Sequence, residues 1–291
     1  MKKTIIWIVI IVVLVLVIGL NIRSLITNSK LETNEYEIKE EFKDIRIITD
    51  VANIEFVATE GKTLVNCKEQ QNANHLVKVE DNVLLIEIDD TRKWYEHIGI
   101  NNGTPKITIH LNENEYGELY AKSDVGNINI PNDFKFESIE ILEDVGNIQN
   151  YASVYNDIKI KTNVGNINIE DITASIIDLS TSIGNVNIVN TKCANLISKG
   201  NTGDVFLKNV IATEKFLLES DTGNIEFEAS DAHDIFIKTD TGDVKGSFIT
   251  DKVIFAESDT GNIDVPKIMA DEKCEIITDT GDIKITIDSI K

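Results

Sequence analysis

Ser123-Asp-Val-Gly-Asn-Ile-Asn-Ile130 returns almost unchanged as Ser258-Asp-Thr-Gly-Asn-Ile-Asp-Val265. The same phrase recurs along the chain, each time around a glycine: Gly126, Gly146, Gly165, Gly184, Gly203, Gly223, Gly242, Gly261 and Gly281, at steps of 19 or 20 residues. A period this short gives a unit that cannot bury its own apolar face, so neighbours must stack, and the pattern reads as a solenoid.

Two residues after each glycine stands Ile128, Ile148, Ile167, Val186, Val205, Ile225, Val244, Ile263 or Ile283, all β-branched. Positions seven and five before the glycine are mostly aliphatic, and a Ser/Thr-rich position three before it shares their parity. Inward positions are thus odd before the glycine and even after it. A hairpin would set apolar residues opposite polar ones, so the Asp-x-Gly-Asn stretch reads as a corner between two sides of a coil. Its glycine takes the positive φ of a type II turn. Charges support stacking: Lys199, Glu219, Lys238 and Glu257 alternate in sign four before the glycine. Glu226, Lys245, Asp264 and Lys284 alternate three after it. Opposite charges on adjacent strands contribute about 0.2–1 kcal/mol per pair.

Outside the repeats, Ile45 to Phe56 carries the same phrase with Ala52 in place of glycine. Leu76 to Val79, Val83 to Ile88 and Ile107 to Leu111 read as further strands. The chain opens Met-Lys-Lys and runs without a charge from Ile5 to Leu20, a helix of roughly 24 Å. No small-x-small cleavage pattern follows, so an uncleaved anchor with its N-terminus inside is expected. The expected fold class is all-β: a parallel β-solenoid of about nine 19–20-residue coils with one N-terminal transmembrane helix. Its parts are an anchor at 1–22, a juxtamembrane spacer at 23–44, a degenerate first coil and N-terminal cap at 45–116, and regular repeats at 117–291. The expected place is the cell membrane, single-pass, with the C-terminal domain extracytoplasmic.

Beyond residue 30 there are 24 basic against 49 acidic residues, a net charge of about −25. Nucleic acid and anionic lipid headgroups are repelled within a Debye length of about 8 Å, which excludes nucleic-acid partners and leaves the lipid bilayer to the N-terminal helix. Cys67, Cys193 and Cys274 show no Cys-x-x-Cys spacing, so neither a disulfide framework nor a zinc site is suggested, and Cys274 falls in an apolar column.

The position after the glycine is always Asn or Asp, which reads as a stacked ladder. The later Asn/Asp alternation keeps carboxylates two coils apart. Asp221, Asp240, Asp259 and Asp279, two before their glycines, read first as turn acceptors and second as weak candidate ligands for Ca2+. Their Asp-Thr-Gly triplets match the catalytic motif of aspartic proteases, but four copies at repeat spacing describe a turn, not a shared-proton dyad. From Gly117 onward there is no arginine and only His233, which reads as a solvated loop residue. A carbohydrate-active β-helix enzyme is therefore the third reading, after a non-enzymatic scaffold and a Ca2+-responsive module, and no cofactor is implied. One column breaks the in/out rule: Ile197, Leu217, Phe236 and Phe255, six before the glycine, form an outward apolar stripe on four consecutive coils. It reads as a docking surface for an envelope partner or a second copy, unless a loop covers it.

The recurrent Asp-Thr-Gly-Asn/Asp-Ile/Val phrase, over residues 45 to 291, resembles the bacterial β-strand-repeat proteins of unknown function known as putative adhesins, which include LiaG-like membrane-anchored proteins. The resemblance implies an anchored, non-enzymatic envelope protein, sometimes linked with envelope-stress systems, and offers no catalytic residues to carry over.

Overall fold

The computed structural model describes residues 31–70, 74–89 and 104–288. The chain is an all-β parallel β-solenoid, and no helix among the described residues is long and apolar enough to cross a membrane. The expected anchor at 1–22 lies outside the described residues.

In each coil a long strand runs into the glycine corner and a short one leaves it, as in Glu115–Val125 followed by Ile128–Ile130, or Lys135–Val145 followed by Ile148–Asn150. Long strands stack in parallel register to make one sheet, and short strands make the other. Between them lie continuous columns of buried aliphatic side chains such as Ile128, Ile148, Ile167, Val186, Val205, Ile225 and Val244. The inward parity read from sequence holds along the strands. It fails immediately before the glycine, where Asp124 and Val125 are both exposed because the chain is already turning.

The corners explain the glycines differently from a type II turn. Where its φ is positive it lies between +141° and +157°, far from the roughly +80° of that turn. What the position demands is space. A Cβ on Gly165 would overlap the carbonyl oxygen of Gly146, and every corner glycine meets its neighbour in the same way. The ladder beside it is equally regular: the Asn147 N–H donates to Asn127 Oδ1 at 2.9 Å, that of Asn185 to Asn166 Oδ1 at 2.8 Å, and that of Asn224 to Asp204 Oδ1 at 2.7 Å. Because the acceptor is a side-chain oxygen and the donor a backbone N–H, Asn and Asp serve alike. One step further in, Thr181, Thr239 and Thr278 hydroxyls donate to the carbonyls of Gly165, Gly223 and Gly242. A second corner, after the short strands, stacks Asp171, Asn190, Asn209 and Ala229 in left-handed conformation with φ of 46–56°. There, Asn190 Nδ2 donates to Asp171 Oδ1 and Asn209 Nδ2 to Asn190 Oδ1.

Stacking order departs from chain order at both ends. At the C-terminal end, Asp234–Thr241 pairs not with Val253–Thr260 but with Lys273–Thr280, which lies between them. At the N-terminal end, Asp44–Val51 lies between Glu115–Val125 and Val83–Asp89. The expectation of consecutive coils is corrected accordingly. Lys245 has Lys284, not Asp264, as its neighbour; Lys238 and Glu257 are separated by Ile277; and Asp243 and Asp282 are adjacent, Oδ1 of the first accepting the N–H of the second at 2.9 Å. Among the expected cross-coil pairs, Lys199 to Glu219 forms at 2.7 Å.

Antiparallel strands finish the N-terminal end. Asn74–Glu80 pairs with Val83–Asp89, and Leu31–Glu37 pairs with Leu64–Gln70, which in turn pairs with Lys106–Leu111. Thus the segment read as a polar spacer contributes a strand, with Tyr36 packed against the core.

Candidate interaction surface and side-chain clusters

The expected stripe lies on the outer face of the long-strand sheet. Ile197, Leu217 and Phe236 are in register and half-buried, flanked by Asp178 on one side and Glu275 on the other. Phe255, 59% exposed, stands beyond Glu275, so the interchange of the last two coils interrupts the stripe.

A longer outward apolar column runs along the corner itself. Val51, Val125, Val145, Val164 and Ile183 are in register on adjacent coils. The last four are 44%, 46%, 42% and 56% exposed. At about 4.8 Å per step the column is about 19 Å long. From Thr202 onward the same position carries threonine in every coil. The sequence held this signal, as Asp-Val-Gly in early repeats against Asp-Thr-Gly in later ones. Extending the inward parity to the last residue before the glycine concealed it.

Asp221, Asp240 and Asp279 lie on neighbouring coils, with Asp259 beyond Asp279. Asp240 pairs with Lys238 of its own strand at 3.1 Å. Their carboxylates point to solvent from a ridge and are not drawn together around a common point.

The family model for Toastrack DUF4097 matches residues 42–286. The chain belongs to the Toastrack DUF4097 family. Among solved structures, this Toastrack chain is similar to a putative adhesin from Bacteroides fragilis, at 22% identity over 88% of this chain and 97% of that one, with a TM-score of 0.47. It is similar to a putative adhesin from Parabacteroides merdae, at 12% identity over 89% and 97%, TM-score 0.45. A putative lipid binding protein from Parabacteroides distasonis is similar at 14% identity over 89% and 98%, TM-score 0.43. No curated protein matches.

Two clusters of unlike polar groups stand out among the described residues of the Toastrack solenoid. Lys252, fully buried, forms ion pairs with Asp231 at 2.5 Å and with Glu272, and donates to the Ala232 carbonyl at 2.8 Å and Thr250 Oγ1 at 3.1 Å. Asp231 Oδ2 also accepts the N–H groups of Ile249 and Thr250 and the Thr250 hydroxyl. His233, largely exposed, lies 3.7 Å from Glu272. With its ammonium donors engaged and sealed from solvent, Lys252 has no means of reaching a substrate. It ties the segment before Asp234–Thr241 to those before the two interchanged C-terminal strands, a clamp on their order.

The second cluster went unnoticed in the sequence because its spacing, Cys67-x-Glu69 with His75 six residues on, matches no familiar motif. Cys67 and Glu69 occupy inward positions of Leu64–Gln70, and His75 comes from Asn74–Glu80 in the opposite sheet. One donor atom from each, Sγ, a carboxylate oxygen and an imidazole nitrogen, lies within 4.8 Å of the others. Burial, reinforced by the Glu69 charge, pushes the Cys67 thiol up to about 12, and burial lowers the His75 imidazole from its ordinary value. The other two thiols, Cys193 and Cys274, are buried in the aliphatic core, where burial pushes both up to about 12.

Proposed function

We propose that this protein is a membrane-anchored, extracytoplasmic β-solenoid that acts as a non-enzymatic interaction scaffold of the cell envelope, in the manner of an adhesin. The observation that carries the reading is the corner column of Val125, Val145, Val164 and Ile183, each more than two-fifths exposed on adjacent coils. Isolated surface aliphatics need no explanation, but a contiguous ridge of β-branched side chains on a chain this acidic favours contact with an apolar groove on a partner. The half-buried stripe of Ile197, Leu217 and Phe236 is a second, weaker face for the same purpose, with Phe255 beside it. The charge-free run from Ile5 to Leu20 supports the anchor.

The test is site-specific photo-crosslinking in intact cells, with the reactive residue at Val164 or Ile183 and, as a control face, at Asp157. A discrete adduct from the corner positions and none from Asp157 is expected, and Val145→Lys with Ile183→Lys should abolish it without lowering the unfolding temperature by more than a few degrees. Absence of any corner adduct, to another protein or to a second copy, would refute the reading.

A further inference from the structure

We propose that Cys67, Glu69 and His75 form a binding site for one divalent transition-metal ion of the zinc class, which staples the two sheets together at the N-terminal end of the solenoid. The inward positions of Leu64–Gln70 run Val65, Cys67, Glu69, and a carboxylate only 4% exposed breaks an otherwise apolar register. Glu69 lies beside the Cys67 thiol and the His75 imidazole, and thiolate, imidazole and carboxylate are all donors that zinc takes. His75 Nε2 stands 3.9 Å from Glu69 Oε2 with only 9% of its side chain exposed, and His75 Nδ1 is buried without a hydrogen-bond partner. A histidine so placed gains from lone-pair donation to a metal.

Ligand chemistry and geometry agree. Zinc takes cysteine as thiolate and histidine as neutral imidazole, so uptake of the metal releases a proton to solvent. Zinc bonds of about 2.0–2.3 Å set ligand atoms about 3.3–3.8 Å apart, so donors within 4.8 Å of one another need only a small closing movement. Sulfur and nitrogen donors exclude the hard cations Ca2+ and Mg2+, which want oxygen. The two ligand-bearing strands belong to different sheets, and Asn74–Glu80 is the terminal strand of its own. No backbone ladder joins opposite sheets, so a metal here ties them where the stack ends.

The experiment uses the full-length chain in detergent micelles. Titration with Co2+ should give one equivalent of thiolate-to-metal absorption in the near ultraviolet. That band should vanish in Cys67→Ser and persist in Cys193→Ser and Cys274→Ser. Zn2+ held 100-fold above its dissociation constant should raise the unfolding midpoint by about 5–10 °C. The increment should disappear in His75→Gln, a variant that keeps the thiol and so guards against misfolding of the cysteine variant. Absence of both the Co2+ band and the Zn2+ shift in the unmodified chain overturns the proposal. So does metal binding that survives both Cys67→Ser and His75→Gln.

Discussion

Glu143 occupies the position three before its glycine, where its neighbours on adjacent coils are Ser123 and Thr162. It is 3% exposed, and burial pushes its carboxyl up to about 8. Elsewhere in this column the hydroxyls of Thr162, Thr181, Ser220, Thr239, Ser258 and Thr278 donate to the glycine carbonyl of an adjacent coil. A protonated carboxyl supplies the same kind of donor. The folded chain therefore holds a proton that the unfolded chain releases from about 4.5, the ordinary value. Stability from this group is fully present below that value and falls as pH rises through about 8, because across the interval the unfolded state binds fewer protons. At about 1.4 kcal/mol per pH unit, the loss across the interval is at most about 5 kcal/mol. Glu143→Gln and Glu143→Thr remove the titration, and Thr restores the hydroxyl of the column. Urea unfolding of the chain and both variants, followed from pH 4.5 to 9, should show each variant gaining about 2–5 kcal/mol on the unmodified chain as pH rises. A difference constant within about 0.5 kcal/mol over that range would refute the argument.

Three further outcomes follow from the stacking. Gly165→Ala, whose Cβ meets a backbone carbonyl, should cost about 3 kcal/mol or more. Gly200→Ala, which meets nothing closer than 3.8 Å, should be neutral or stabilising by up to about 1 kcal/mol in the same thermal melts. Lys252→Ala leaves buried Asp231 and half-buried Glu272 without their cation and should cost about 3–5 kcal/mol, with hydrogen exchange rising first in Val253–Thr260 and Lys273–Thr280; uniform exchange would remove its role as a clamp. Ala229→Asn relieves a left-handed alanine at φ 46° and offers Asn209 an amide, so it should raise stability by about 1 kcal/mol, and a lower melting temperature would contradict this.

Local features of the coil were legible because each is written once per repeat. The β-branched column at Ile128 to Ile283, the Asn/Asp ladder and the corner at Gly126 to Gly281 are repeated statements of one environment, and repetition separates them from chance. What repetition cannot encode is which repeat lies beside which. Asp-Thr-Gly at 259 and at 279 is the same phrase, and the phrase does not say that the later copy packs against Asp240 first. That order is set by groups outside the repeat, notably Lys252 with Asp231 and Glu272, whose meeting depends on loops of unequal length. The Cys67, Glu69 and His75 cluster was illegible for a related reason: it joins strands of opposite sheets in the region where the period lapses.

The two ends of the solenoid differ in a way that bears on where contact occurs. At the N-terminal end, antiparallel strands cover the stack. Among the described residues the C-terminal end stops at Val253–Thr260 and the two-residue strand Ile263–Asp264, leaving Phe255 and Ile263 exposed and Met269 98% exposed. An uncovered parallel edge invites end-to-end growth unless something opposes it. Here Pro266 follows the short strand and lacks an N–H to offer a further one, while Glu257, Asp259 and Asp264 put negative charge on an edge that every other copy shares. Two such ends repel, and a cationic strand would not. Self-association end to end is therefore opposed by the acidity of that end, whereas the corner column on the flank of the stack carries no charge of its own from Val125 to Ile183.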